Sequence, residues 1–316
     1  MDTSRNSLKV KFLLTYMKKA LVLYSGGLDS RLVVHMLQER GFKITALYFS
    51  LPFGCGCCNI SCNFNFTQKE KVNLEIFNVN KDPLLTEYLE ILKNPKFGTG
   101  SGINPCKDCK IFMFKKAKGY ADKNGIEIIA TGEVLGQRPM SQISSAMKII
   151  DEELDFEILR PLSAKNLKET NYEKIGLVDR KKLLSIKGRG RKEQMALAQK
   201  YDIKYPSPGG GCFLCEKEPS KRLKYLLDNN LVNEKTLKLT MVGRHFVMDN
   251  CWFVVARDEK ESIIISKFEN SIEDSVGKPA VYYGKDTKKE KALELQVAYS
   301  TGNNEELRKK FMEFKL

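Results

Sequence analysis

Apolar and polar positions along the 316 residues follow two different rhythms, which change near Cys215. Ala20 to Tyr24 is a short uninterrupted apolar run, as expected of a strand buried on both faces. A glycine-containing turn follows, and then Arg31 to Arg40 places Leu32, Val33, Met36 and Leu37 on one helical face. Gly41 reads as the cap that ends this helix. Lys43 to Phe49, Val72 to Val79 and Ile126 to Ala130 read as three more strands, with helical patterns such as Ile111 to Lys123 between them. Strands alternating with helices predict an α/β protein with a doubly wound parallel sheet. Ligands of such sheets sit beyond the carboxyl ends of the strands, which is where the Gly and Cys loops fall.

After Cys215 comes a Lys/Arg/Leu helix from Pro219 through Leu227, and then strand-like Leu237 to Val242, Cys251 to Ala256 and Ser262 to Phe268. This part is predicted to be a second, smaller α+β domain. The expected layout is an extension over 1–16, ahead of Met17 and without assigned function, a nucleotide-binding catalytic domain over 17–216, and the small domain over 217–316. No internal repeat is visible.

Composition and charge narrow the possibilities further. Hydrophobic content of 42% and charged content of 29% describe a folded chain. A net charge of +14 points to a polyanionic partner, nucleic acid first. Between Leu162 and Tyr205, 12 basic residues face 5 acidic ones, and Lys187, Arg189, Arg191 and Lys192 are the candidate RNA contacts. A solvated helical face is the other reading of that stretch. No apolar run approaches the ~20 residues that span a bilayer, and Phe12, Leu13 and Leu14 are too few for a signal core. A soluble, cytoplasmic protein without a membrane partner is expected. There the nine cysteines stay reduced, which turns attention from disulfides to metal or sulfur chemistry. His35 and His245 are the only histidines, too few for chemistry built on His bases.

Ser25-Gly26-Gly27-Leu28-Asp29-Ser30 joins the first strand to the first helix. Two glycines let the backbone approach an anion, the Ser hydroxyls add donors, and the helix start offers unpaired N–H groups. It lacks the Lys of a Walker A loop. The string resembles the pyrophosphatase loop of the PP-loop ATPases, an adenine nucleotide alpha hydrolase-like fold. That resemblance implies ATP cleavage between the α and β phosphates, with Ser25, Gly26, Gly27, Asp29 and Ser30 on the phosphates and Asp29 oriented toward Mg²⁺. Tyr48 and Phe49 stand where such enzymes contact adenine. Thr131-Gly132-Glu133-Val134-Leu135-Gly136-Gln137 is similar to a segment of the tRNA 4-thiouridine synthetases and suggests Thr131 and Gly132 as the second half of the nucleotide site. Arg160-Pro161-Leu162 resembles the Arg-Pro-Leu of the tRNA 2-thiouridylases. The resemblance runs over roughly Lys18 to Cys215.

Asn104-Pro105-Cys106-Lys107-Asp108-Cys109 is similar to the Asn-Pro-Cys-x-x-Cys of tRNA thiouridylases, and Cys212 after Gly210-Gly211 supplies that pattern's remote third Cys. The resemblance implies a four-iron four-sulfur cluster on Cys106, Cys109 and Cys212, whose open iron binds hydrosulfide. Two other readings stand beside it. Cys215 completes two Cys-x-x-Cys pairs with zinc spacing. Alternatively, one thiol carries a persulfide and another resolves it. Cys55, Cys57, Cys58 and Cys62 form a further cysteine loop, which reads as a second metal site, a persulfide relay or, preferred here, a lineage-specific loop without chemistry. Cys251, beside Trp252 in an apolar strand, reads as a buried small hydrophobe.

The function expected from the resemblance is that of an ATP-dependent tRNA sulfurtransferase. It would adenylate a uridine carbonyl and replace its oxygen with sulfur, with Asp29, Cys106 and Cys212 as catalytic residues. Its partners would be tRNA and a sulfur donor such as a cysteine desulfurase or free sulfide. The alternatives are a PP-loop ligase or amidotransferase, which has no need of the three thiols, and a non-catalytic ATP- and RNA-binding protein. Val242-Gly243-Arg244-His245-Phe246 loosely resembles the small RNA-binding domain of ribosome quality-control factors, the NFACT type. The other reading of that domain is a dimerisation module, which would make the protein a homodimer.

Overall fold

The computed structural model describes residues 18–53, 60–207, 212–275, 277–284, 288–302 and 304–316. The extension 1–16, Cys55, Cys57, Cys58, Gly210 and Gly211 lie outside them, as does the side chain of Cys62. The chain divides into two compact units, residues 1–100 with 104–212, and residues 101–103 with 213–316.

In the first unit β1 (Lys19–Leu23), β2 (Lys43–Ser50), β3 (Asn73–Asn78) and β4 (Ile128–Thr131) form a parallel sheet in the order β3-β2-β1-β4. The helices are α1 (Leu28–Gln38), α2 (Ile60–Lys69), α3 (Leu84–Lys93), α4 (Cys106–Lys123), α5 (Ser144–Glu152), the one-turn α6 (Asn171–Lys174) and α7 (Lys192–Lys200). Strands β1, β2 and β4 are buried on both faces, which is why they read as apolar runs, whereas the edge strand β3 is half-exposed. Ala20, Val22, Ile44, Ala46, Ile128 and Ala130 join the core under α1, while the alternate residues Leu21, Leu47 and Ile129 are equally buried on the other face. Gly41 takes the left-handed φ of +79° that ends α1. Strand order reverses between β1 and β4, and at such a switch point the loops diverge to leave a crevice at the carboxyl edge.

The second unit holds an antiparallel sheet in the order β5-β6-β8-β7, made from β5 (Arg244–Met248), β6 (Cys251–Val255), β7 (Ser271–Ile272) and β8 (Val281–Tyr283). Its helices are α8 (Lys217–Asp228), α9 (Glu234–Leu239), α10 (Glu259–Ile265), α11 (Lys289–Tyr299) and α12 (Glu305–Met312). Asp249 and Asn250, both at positive φ, make the two-residue turn between β5 and β6. Both faces of β6 are covered: Cys251, Phe253 and Val255 pack with α11 and α12, and Trp252 and Val254 with α8 and α10.

Two predicted strands of this unit are helices. In α9, over part of Leu237 to Val242, the side chain of Asn233 accepts from the Lys235 and Thr236 amides and so caps the helix start. In α10, over most of Ser262 to Phe268, Asp258 accepts from the Glu261 amide. The run Ile263-Ile264-Ile265 carries β propensity, but a capped first turn and a buried Ile265 override it.

Candidate active site

The loop after β1 is built for an anion. Gly26 sits at φ +79°, and Gly27 caps α1 in an extended conformation with no side-chain hydrogen bond to the helix amides. The first intrahelical bond runs from the Arg31 amide to the Gly27 carbonyl at 3.1 Å. The amides of Leu28, Asp29 and Ser30 therefore have no intrahelical acceptor, and the positive end of the helix dipole faces the same way. Ser30 Oγ donates to the Gly27 carbonyl at 2.9 Å and lies 3.4 Å from Ser25 Oγ, so both hydroxyls gather at the loop.

β4 delivers the other wall. A Cβ added at Gly132 would stand 2.7 Å from the Asp29 carbonyl carbon and the Ser30 nitrogen, so the Thr131-Gly132-Glu133 turn lies directly against the phosphate loop. Only glycine permits that approach. Gln137, in the same turn, donates to Asp29 Oδ2 at 2.8 Å, and buried Gln194 of α7 donates to Gln137 Oε1 at 3.3 Å. Burial raises the Asp29 carboxyl above its ordinary pKa, while the Gln137 hydrogen bond and the charges of Arg191 and Arg138 pull it back. Asp29 Oδ1 is buried and takes no hydrogen bond from the protein. An orphaned carboxylate oxygen beside an anion-binding loop fits a hard cation such as Mg²⁺.

Glu133 anchors a buried ion network. It is 1% exposed, and Arg160 Nε donates to its Oε2 at 3.0 Å while Lys110 Nζ stands 3.2 Å from its Oε1. Arg160 also grips Asp151 with two bonds, of 2.7 and 3.0 Å. Burial alone would raise the Glu133 carboxyl, but Lys110 and Arg160 hold it below the ordinary range. Buried charges of this kind persist only when paired, and removal of one partner typically costs ~3–5 kcal/mol. Lys110 belongs to the first turns of α4, next to Cys109. The network thus ties the cysteine helix to the turn that touches the phosphate loop.

The three thiols share one neighbour, the buried Tyr88 of α3. Its hydroxyl lies 3.6 Å from Cys109 Sγ, and burial pushes its pKa well up, with the charges of Cys109, Cys212 and Cys106 adding to the rise. Burial also raises the Cys109 thiol, opposed by the Tyr88 hydrogen bond and the Lys110 charge. Asn104 Nδ2 donates to Cys106 Sγ at 3.3 Å, and the Cys212 thiol donates to the Phe53 carbonyl at 3.3 Å, just beyond β2. Among the described residues no three His, Cys, Asp or Glu side chains stand together as a metal-binding set. Cys106, Cys109, Cys212 and Cys215 are all half-buried free thiols.

Of the other predicted site residues, Tyr48 is half-buried near the end of β2, Phe49 is buried, and Lys187, Arg189 and Lys192 are exposed. Arg191 differs from these three. It is half-buried, its Nε is shielded without a hydrogen bond, and its charge acts on Asp29, so it leans toward the phosphate loop. Arg138, Gln194, Tyr88, Lys110 and Glu133 are site residues that the sequence reading passed over. Of these, Glu133 stands within the Thr131 to Gln137 segment that the resemblance singles out, without a role assigned to it there. Tyr88, inside an apolar helix pattern, looked like any core aromatic.

A glycine loop and a glycine turn thus meet at the switch point of a doubly wound parallel sheet, where folds of this class place their ligands. Residues 16–171 match the family model described as thiamine biosynthesis protein (ThiI). The chain is 32% identical to a probable tRNA sulfurtransferase of Finegoldia magna over 154 residues, 48% of this chain and 37% of that protein. It is 31% identical to a tRNA sulfurtransferase of Shewanella sediminis over 147 residues, 46% of this chain and 28% of that one. It therefore spans about a third of the length of the curated relatives it matches. A solved 4-thiouridine synthetase–RNA complex with bound ATP is similar at a TM-score of 0.41 and 19% identity, covering 70% of this chain and 52% of that one.

Proposed function

We propose that this chain is an ATP-dependent tRNA sulfurtransferase, a thiouridine synthase that adenylates a uridine carbonyl oxygen and then replaces it with sulfur. The observation that carries the reading is the physical link between the anion loop and the thiols. Asp29 and Ser30 press on Gly132, Glu133 follows directly, and Lys110 runs from Glu133 back to the cysteine helix.

A uracil oxygen is a poor leaving group and AMP a good one. The free amides of α1 with Ser25 and Ser30 take the phosphates, Thr131 and Gly132 close the opposite wall, and Tyr48 stands on the adenine side. Asp29 would hold Mg²⁺, which neutralises charge on the departing pyrophosphate. The uridine oxygen attacks the α-phosphate and pyrophosphate leaves. The sulfur carrier in this reading is a persulfide on one of the thiols gathered around Tyr88. A persulfide sulfur on one thiol attacks the base carbon, and AMP departs with the old oxygen. A second thiol then attacks the carrier sulfur, which frees the thiouridine and leaves a disulfide for an external thiol to reduce. The persulfide sulfur comes from a donor such as a cysteine desulfurase, and free sulfide would attack the activated carbon directly. Reduced thiols of this kind suit the cytoplasm. Lys187, Arg189 and Lys192, with the small C-terminal domain, are assigned to the RNA backbone, and Arg191 to the nucleotide.

The test is tRNA-dependent release of AMP and pyrophosphate, read together with nucleoside mass spectrometry. Asp29→Asn is expected to slow AMP release by ~100-fold or more without changing the melting temperature. Cys106→Ser and Cys212→Ser are expected to keep AMP release and lose thiouridine. Cells lacking the gene that retain all their thionucleosides would remove the proposal.

A further inference from the structure

We propose that Arg31 is the positioning residue of the nucleotide loop, holding the Gly26–Gly27 peptide so that its amide rather than its carbonyl faces the phosphates. This rests on the nucleotide reading above and extends it to a side chain outside the loop motif. Arg31 lies in the first turn of α1 and is 4% exposed. Its Nε donates to the Gly26 carbonyl at 2.7 Å and its Nη1 to the Lys204 carbonyl at 2.8 Å. Its guanidinium lies 4.6 Å from the centre of the Phe66 ring, whose other neighbour is Tyr24, stacked at 5.7 Å.

A cation is disfavoured at a helix N-terminus, and a buried guanidinium costs desolvation unless its donors are used. That such a group sits beneath an anion loop calls for a reason, and peptide geometry supplies one. The Gly26 carbonyl and the Gly27 N–H belong to one planar trans unit and point in opposite directions. When Arg31 draws the oxygen inward, the Gly27 N–H turns outward. There its protein acceptor is Ser25 Oγ at 3.4 Å, a distance at the weak end of hydrogen bonding. Gly26 at φ +79° and Gly27 have little steric preference, so an untethered peptide could reverse and present its oxygen to the phosphates. Lys in place of Arg keeps the charge but lacks the fork that reaches two carbonyls at once.

The experiment compares binding of ATP and of adenosine to the wild-type chain, Arg31→Lys, Arg31→Gln and Phe66→Leu by calorimetry, with melting temperatures of all four. Arg31→Lys and Arg31→Gln are expected to weaken ATP roughly 10- to 100-fold, the worth of a charge-assisted bond, while adenosine changes by less than about 3-fold. Phe66→Leu leaves both carbonyl bonds in place and should keep the wild-type ratio of the two affinities. Should Arg31→Gln fail to fold, Arg31→Lys carries the comparison. Wild-type ATP affinity in a folded Arg31 variant, or proportional loss of ATP and adenosine, overturns the proposal. A wild-type chain that binds ATP no better than adenosine overturns the nucleotide-phosphate reading itself.

Discussion

Burial sets the protonation of single residues in this protein, and His245 shows how far it can go. The ring is fully buried, Trp252 Nε1 donates to its Nδ1 at 3.1 Å, and its Nε2 lies 2.8 Å from the Val242 carbonyl. With Nδ1 accepting, the proton must sit on Nε2 and be donated to Val242, which fixes one neutral tautomer. Burial, reinforced by the charge of Arg222, lowers its pKa from 6.5 to about 3. The unfolded chain therefore takes up a proton first as pH falls. The stabilisation is complete above pH 6.5 and is lost as pH drops from there toward 3, by at most ~1.4 kcal/mol per pH unit. Urea melts at stepped pH should show this slope in the wild type and a flatter one in His245→Gln. The motif Val242 to Phe246 drew attention for RNA binding, yet its histidine is spent on holding β5 to β6.

Elements meet at the crevice through backbone as much as through side chains. The turn after β4 and the start of α1 approach so closely that a methyl group at Gly132 has nowhere to go, since backbone atoms on α1 cannot swing aside as a side chain would. Gly132→Ala should therefore displace the phosphate loop, with a stability loss of ~1–3 kcal/mol and loss of ATP binding. The parallel change Gly119→Ala on α4, where the added Cβ meets nothing within 4 Å, should leave binding intact and gain up to ~1 kcal/mol. Calorimetric titration with ATP and thermal melts of both variants decide the matter, and unchanged binding in Gly132→Ala would mean that the turn is not a wall of the site.

The whole molecule carries +14, and that charge has to be read as a field rather than a set of pairs. Many of its ion pairs are exposed helix pairs such as Lys148 with Glu152 and Lys309 with Glu305, each worth a few tenths of a kcal/mol. The excess is free to act on a polyanion. Affinity for tRNA should fall steeply with salt, with a log–log slope of about −0.7 to −0.9 for each phosphate neutralised. The combined substitution of Lys187, Arg189 and Lys192 by Ala should flatten that slope by about 2 to 3. Filter binding between low and moderate salt measures it, and an unchanged slope would place the RNA elsewhere.

Local pattern determined the strands of the parallel sheet, the helix after the first strand, most of the long helix before the fourth, and the glycine loop at the first strand end, because apolar runs, helical periodicity and left-handed turns each leave a mark within a few residues. The three cysteines and the Thr-Gly-Glu turn were legible for the same reason. The fold alone decided what those parts do to one another. Residues 29 and 137, 110 and 133, and 31 and 204 come together only through packing, and no short-range signal connects them. The same holds for α9 and α10, whose apolar runs read as strands until capping and packing on the second sheet made them helices. Chain neighbours fix local conformation, whereas burial and charge at the crevice arise from contacts between distant segments.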